Sequence, residues 1–116
     1  MPQIDIAQLQ LPASHLTTLQ RILAQQVPHA EVWAYGSRVK GSAHEGSDLD
    51  LVLRQPQALN QPVANGQALL DALQQSSLPI LVDVHQWAYL PEAFHTNIQA
   101  CYIVIQQAEQ LAETVC

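Results

Sequence analysis

Basic residues are scarce in this chain: 4 Lys and Arg stand against 10 Asp and Glu in 116 residues, a formal net charge of −6. Non-specific nucleic-acid binding needs clustered cations that displace counterions from phosphates. Direct contact with nucleic acid is therefore not expected. Cysteine is equally sparse. Cys101 and Cys116 form no closely spaced metal pair, so a zinc site or a disulfide framework has nothing to build on. The two can still join each other, but a buried thiol at Cys101 and a frayed one at Cys116 is the expected arrangement. No apolar run approaches the ~20 residues that span a bilayer. The segment from Met1 to Asp5 shows no basic stretch followed by an apolar one, so no secretory signal is read there. The expected location is the cytoplasm, without membrane contact.

What is present suits a folded domain. Hydrophobic residues make up 48% and charged residues 12% of the chain, a balance unlike that of disordered segments. The length fits one domain over residues 1–116 and is too short for two independent cores.

The pattern of residues predicts alternating helices and strands. Ser14 is placed to cap a helix with Leu16, Leu19, Ile22 and Leu23 on one side, ending near Gln26 because Pro28 follows. Glu31 to Tyr35 has the β-branched and aromatic content of a strand, with Trp33 expected in the core. Gly36 to Ser47 is rich in glycine and serine and reads as a turn-rich connection, with a short helical turn through Arg38 and Lys40. Leu49 to Arg54 is a second strand, stopped by Pro56. Pro62 to Ser76 reads as a helix, with Val63, Leu69, Leu70 and Leu73 inward. Leu78 to Val84 is nearly all apolar and is expected as a central strand. Pro91 opens a helix to about Ala100. Cys101 to Ile105 is either a fourth strand or the continuation of that helix, and the tail 106–116 is helical or frayed. The expected fold class is α/β (α+β): a small mixed sheet of three to four strands flanked by helices.

Chemistry concentrates between Gly36 and Leu51. Glycine permits positive φ and close approach of a ligand to the backbone. The amides of the Gly36–Ser37 turn can face a phosphate, the hydroxyls of Ser37 and Ser47 can join them, and Arg38 or Lys40 can neutralise charge. Asp48 and Asp50, two residues apart at a strand start, project to the same side. Two carboxylates that close resist ionising together unless a cation intervenes, and Mg²⁺ takes one or two carboxylates plus phosphate oxygens. A turn cap at Asp48 and a solvated Asp50 are the plain alternative for the pair alone. Asp83, set within the apolar stretch from Ile80 to Val84, adds a third carboxylate that is costly to bury unless paired or metal-bound. If its strand neighbours that of Asp50, all three carboxylates meet beside the Gly-Ser turn, the arrangement that two-metal phosphoryl transfer uses. His85 shares a face with Asp83, although a structural role is the plainer one. His44 and Glu45 are expected as solvated loop residues, and the roles of Trp87 and Tyr89 stay open.

The combination Gly36–Ser37–Arg38, Gly41, then Ser47–Asp48–Leu49–Asp50–Leu51 with a later Asp83 resembles the signature of the nucleotidyltransferases related to DNA polymerase β, and more narrowly the minimal nucleotidyltransferases. The resemblance covers about residues 14–100. It implies a polymerase β-like nucleotidyltransferase fold and two Mg²⁺ ions held by Asp48, Asp50 and Asp83, with Asp83 near the attacking hydroxyl. It also implies ATP as substrate, with Gly36, Ser37 and the basic Arg38 or Lys40 on its phosphates, Arg38 favoured over Lys40. Members often pair with a helical HEPN-domain ribonuclease toxin, which some modify by transferring AMP to a tyrosine. The resemblance thus implies a protein adenylyltransferase acting as an antitoxin in a hetero-oligomer. Two other readings are a binding module that neutralises its partner by contact alone, and a small-molecule nucleotidyltransferase of the aminoglycoside-modifying kind. A chain this short has little left to build an acceptor cleft or a base-specific pocket, so the acceptor surface is expected from a second protein or from self-association.

Overall fold

In the computed structural model of the protein, the structure describes residues 3–41 and 47–108. The sequence expectations for His44, Glu45, Cys116 and the tail beyond residue 108 lie outside these residues. The main elements run α1 (Ala13–Gln26), β1 (Glu31–Tyr35), α2 (Ser37–Lys40), β2 (Leu49–Arg54), α3 (Gly66–Gln74), β3 (Val82–Gln86), α4 (Glu92–Gln99) and β4 (Ile103–Gln106). The four strands form one mixed sheet in the order β3-β2-β1-β4. β1 is antiparallel to both β2 and β4, while β2 and β3 are parallel. The stretch after Cys101 is therefore a strand, and the fold is the expected mixed sheet with flanking helices.

Alternation along the central strands creates two faces. Val32 and Ala34 of β1, Leu49, Leu51 and Leu53 of β2, and Ile103 and Ile105 of β4 point to a core completed by Leu19, Ile22 and Leu23 of α1 and Leu69 and Leu73 of α3. The opposite face carries Trp33 and Val52, covered by Trp87 and Ile98, with Tyr35, Tyr102 and Val104 packed around them. Asp50 and Arg54 follow the parity of Val52 and so belong to this second face.

Three sequence expectations need correction. Ser14 does not cap α1. The helix begins two residues earlier, at Ala13, with Pro12 as its cap and no side-chain capping bond, and the Pro12 carbonyl accepts from the amides of His15 and Leu16. The second long helix starts at Gly66 rather than Pro62. Asn65 sits in the left-handed region at φ 69°, and Val63 exchanges two hydrogen bonds with the Gln86 side-chain amide at 2.8 and 3.0 Å. A backbone bonded sideways to β3 cannot also wind into a helix. Third, β3 is an edge strand, not a central one, and it begins at Val82. Leu78 and Ile80 pack on the core from an irregular segment ahead of it, while Leu81 is 70% exposed. The apolar run is thus shared between a packed connection and a half-covered strand. Trp33 is buried as expected, whereas Cys101 is only partly so.

Since Leu51 is fully buried on the central strand β2, Leu51→Ala is expected to cost about 2–5 kcal/mol of stability. Leu81→Ala, on the exposed segment, should stay within about 0.5 kcal/mol. Urea denaturation of both variants measures the contrast, and equal losses would contradict the assignment of core and surface.

Candidate active site

The site is assembled by strand register. Tyr35 pairs with Asp50 across the β1–β2 ladder, and Asp50 pairs with Asp83 across the β2–β3 ladder. Directly paired residues put their side chains on one face, so a phenol and two carboxylates stand in a row across three strands. Asp48, exposed just ahead of β2, is near enough that its charge acts on Asp50. The sheet therefore sets Asp50 and Asp83 face to face, while Asp48 lies outside the ladder and within electrostatic reach of Asp50. Asp83, however, is exposed on the edge strand and is not the buried carboxylate that its apolar neighbours suggested. The Arg54 side chain is engaged elsewhere: it pairs with Glu31 and lies between the rings of Trp33 and Trp87.

The turn that follows β1 fits against Asp50. Gly36 has φ 85° and ψ −157°, a region essentially restricted to glycine. A Cβ built on it would lie 2.5 Å from Oδ2 of Asp50, far inside contact distance. Residue 36 must lack a side chain for both reasons. The chain then winds through α2 and leaves by Gly41 at φ 86° in a left-handed cap. Amides at the start of a helical turn point along its axis rather than to helical carbonyls, which sets Ser37 and its neighbour beside the carboxylate row.

The two basic residues of the turn have different surroundings. Arg38 is 6% exposed. Its Nε donates to the Ser47 carbonyl at 3.0 Å, and its guanidinium also donates to the Gln10 carbonyl. Arg38 thereby connects the turn to the residue preceding Asp48 and to the N-terminal segment. Lys40 is exposed, and with Tyr35 and Gly36 it lines a cavity of about 410 Å³.

Electrostatics reflect this crowding. Burial, then the charge of Asp83, pushes the Asp50 carboxyl above its ordinary range; His85 pulls it back and Asp48 adds to the rise. The Tyr35 phenol is pushed up to about 12 by burial and by Asp50 and Asp83, so its proton stays in place at neutral pH. His85, for which a structural role is the plainer expectation, is exposed on β3 with its ring 6.5 Å from that of Tyr35. Tyr35 is the site neighbour that sequence reasoning assigns only to strand packing. Its position directly before Gly36, on the parity of Asp50, is the available signal.

The donor set suits a hard divalent cation, since it offers carboxylate oxygens alone. Among the described residues no group of three His, Cys, Asp or Glu side chains is gathered so as to hold an ion. What stands ready is the facing pair Asp50 and Asp83 with Asp48 nearby, and Mg²⁺ asks for only one or two carboxylates when phosphate oxygens supply the rest. The seat of Asp50 against Gly36 fixes one of these carboxylates beside the turn. The residues fit the ion.

Known proteins share this arrangement of sequence and fold. Residues 16–106 match the family described as Nucleotidyltransferase domain. The chain is 40% identical over 109 residues to the probable protein adenylyltransferase MntA of Haemophilus influenzae, covering 94% of each. Its fold also matches a chain in a crystal structure of a toxin–antitoxin with AMP-PNP, with a TM-score of 0.64 and 17% identity over 85% of this chain and 78% of that one.

The carboxylate row can be probed from both of its neighbours. Gly36→Ala combines a forbidden backbone conformation with a clash on Asp50 and should destabilise the fold by about 1–3 kcal/mol; a denaturant midpoint unchanged from wild type would contradict this. Because the folded-state pKa of Asp50 lies above its unfolded value, the metal-free fold loses stability as pH rises through that interval, and the full penalty remains at neutral pH. Asp50→Asn should then raise the melting temperature of metal-free protein at pH 7 by up to a few degrees. Calorimetry at pH 4 and pH 7 should show the gain shrinking at the lower pH, and a lower melting temperature at pH 7 would refute the electrostatic account.

Proposed function

The chain belongs to the nucleotidyltransferase domain family and is a nucleotidyltransferase; from that premise we propose that it transfers AMP from ATP to a hydroxyl of a partner protein. The partner in this reading is a HEPN-domain ribonuclease toxin, and the chain is its antitoxin, acting in the cytoplasm where ATP is abundant. The observation that carries the reading is the register of Asp50 opposite Asp83 beside the Gly36–Ser37 turn. It supports a triphosphate at the turn and an attacking oxygen on the Asp83 side, with Asp50 between them. The 40%-identical relative is named a probable protein adenylyltransferase, which supports a protein acceptor. The structural neighbour comes from a toxin–antitoxin, which supports a toxin as that acceptor.

In this mechanism the Gly36–Ser37 turn and Ser47 receive the β- and γ-phosphates. The buried Arg38 holds the turn and Ser47 in place through their backbone, and the exposed Lys40 neutralises phosphate charge. Asp48, Asp50 and Asp83 would hold Mg²⁺, which would lower the repulsion between the phosphates and an incoming oxygen. The acceptor oxygen attacks the α-phosphorus, the bond to the β-phosphate oxygen breaks, and pyrophosphate departs. Asp83, exposed at the sheet edge, takes the hydroxyl proton and releases it to water. The neutral Tyr35 phenol lies next to Asp50 and leaves the carboxylate charge intact for the cation.

The test is incubation with α-labelled ATP, Mg²⁺ and the protein encoded beside this chain. Label should pass to that neighbour, and Asp83→Asn should reduce transfer at least ~100-fold, the scale of losing a transition-state contact. If Asp48→Ala with Asp50→Ala still neutralises the toxin as wild type does, contact rather than catalysis is the mode of action. Transfer to an aminoglycoside in place of a protein would overturn the acceptor assignment.

A further inference from the structure

A concave space adjoins the turn on the side of α4. It measures about 410 Å³ and is lined by Tyr35, Gly36, Lys40, Phe94, Asn97 and Cys101, among others. That volume lies within the range of small-molecule sites, about 300–1,000 Å³. Its walls are of two kinds. The rings of Tyr35 and Phe94 stand 6.5 Å apart at 84°, so they make a corner that offers one ring face and one ring edge. Phe94 is 43% exposed, more than a side chain kept for the core. Asn97, exposed on α4 one turn beyond Phe94, supplies an amide that can donate and accept at once. Lys40 and Gly36 stand where this space meets the turn assigned to the phosphates.

A nucleoside triphosphate has the same sequence of parts: a flat base with mixed donor and acceptor edges, a sugar, and a polyanion. We propose that this cavity receives the nucleoside half of the triphosphate, with the base against the Tyr35–Phe94 corner and the Asn97 amide on its polar edge. The inference rests on the reading that the chain uses a nucleoside triphosphate. It also revises the expectation that so short a chain has little left to build a base-specific pocket. The room lies between α4 and the turn after β1: Phe94 meets Tyr35 edge-on, and Ile98 packs down with Val52 and Trp87.

Inorganic tripolyphosphate, which has the phosphates without the nucleoside, separates the two claims. Calorimetric titration with Mg²⁺ should show ATP binding weakened about tenfold by Phe94→Ala and again by Asn97→Ala, the scale of one lost base–aromatic stack or edge contact. Tripolyphosphate affinity should be unchanged. Both residues are exposed, so the variants are expected to keep the wild-type circular dichroism. A second readout needs no variant of the cavity wall: in a Cys116→Ser background, ATP should protect Cys101 from maleimide, and tripolyphosphate should not. Unchanged ATP affinity in both variants, equal weakening of both ligands, or an unprotected Cys101 would overturn the nucleoside assignment while the triphosphate reading stood. If wild-type protein bound neither ligand, the triphosphate reading itself would fail, and the inference with it.

Discussion

Gly36 and the Asp50 carboxylate occupy neighbouring space that can be shared only if residue 36 has no side chain. This one contact joins the two halves of the site. The turn that follows β1 and the carboxylate at the start of β2 belong to different segments, and nothing in their local conformations would keep them together. The antiparallel β1–β2 ladder sets Tyr35 opposite Asp50, and the glycine conformation at φ 85° then turns the chain across the carboxylate rather than away from it. Arg38 continues the same constraint from behind, because its guanidinium reaches the carbonyl of Ser47 on the far side of the connection. Turn and Asp50 are therefore held against each other from both sides.

The face that carries this site is also the face with the unusual packing. Trp33 stacks on Tyr102 with ring centroids 3.8 Å apart, Trp87 stacks on His95 at 3.9 Å, and the Arg54 guanidinium lies over both tryptophans. A guanidinium between indoles is attracted to their faces and, paired with Glu31, keeps its charge compensated. The effect is to close one part of the second face with rings. The other part, from Tyr35 to Asp83, is left to polar groups. Negative charge collects where the rings stop. An acidic region next to a rigid one is what the proposed cation would need: attraction together with fixed geometry.

Much of this was legible because local signals agreed with the fold. β1 and β2 fall on their expected bounds, since β-branched and aromatic runs there end at Gly36 and before Pro56. The Gly-Ser turn and Asp48–Asp50 carry a spacing that few other arrangements use. The errors came where a local signal had two physical outcomes. An apolar run from Leu78 predicts burial but not what buries it, and here the run splits into a packed connection and an edge strand. Arg38 reads as a phosphate contact from sequence, yet it is buried and donates to the backbone carbonyls of Ser47 and Gln10. The cavity beside α4 had no signal at all. Phe94 and Asn97 form no motif, and only the tertiary placement of α4 sets them next to Tyr35.

The edge position of β3 gives the two facing carboxylates unequal access. Asp50 lies on an inner strand, hemmed by Gly36 and Tyr35, and burial makes its charge expensive. Asp83 lies on the outermost strand and is open to solvent. In a transfer reaction the nucleotide must be held against a fixed framework, whereas the acceptor must arrive from outside and leave modified. An inner carboxylate suits the first requirement and an outer one suits the second. A central β3, as the apolar run suggested, would have enclosed both and left a protein acceptor no approach. With β3 at the edge, Asp83 stays open on the side from which the proposed acceptor hydroxyl would approach.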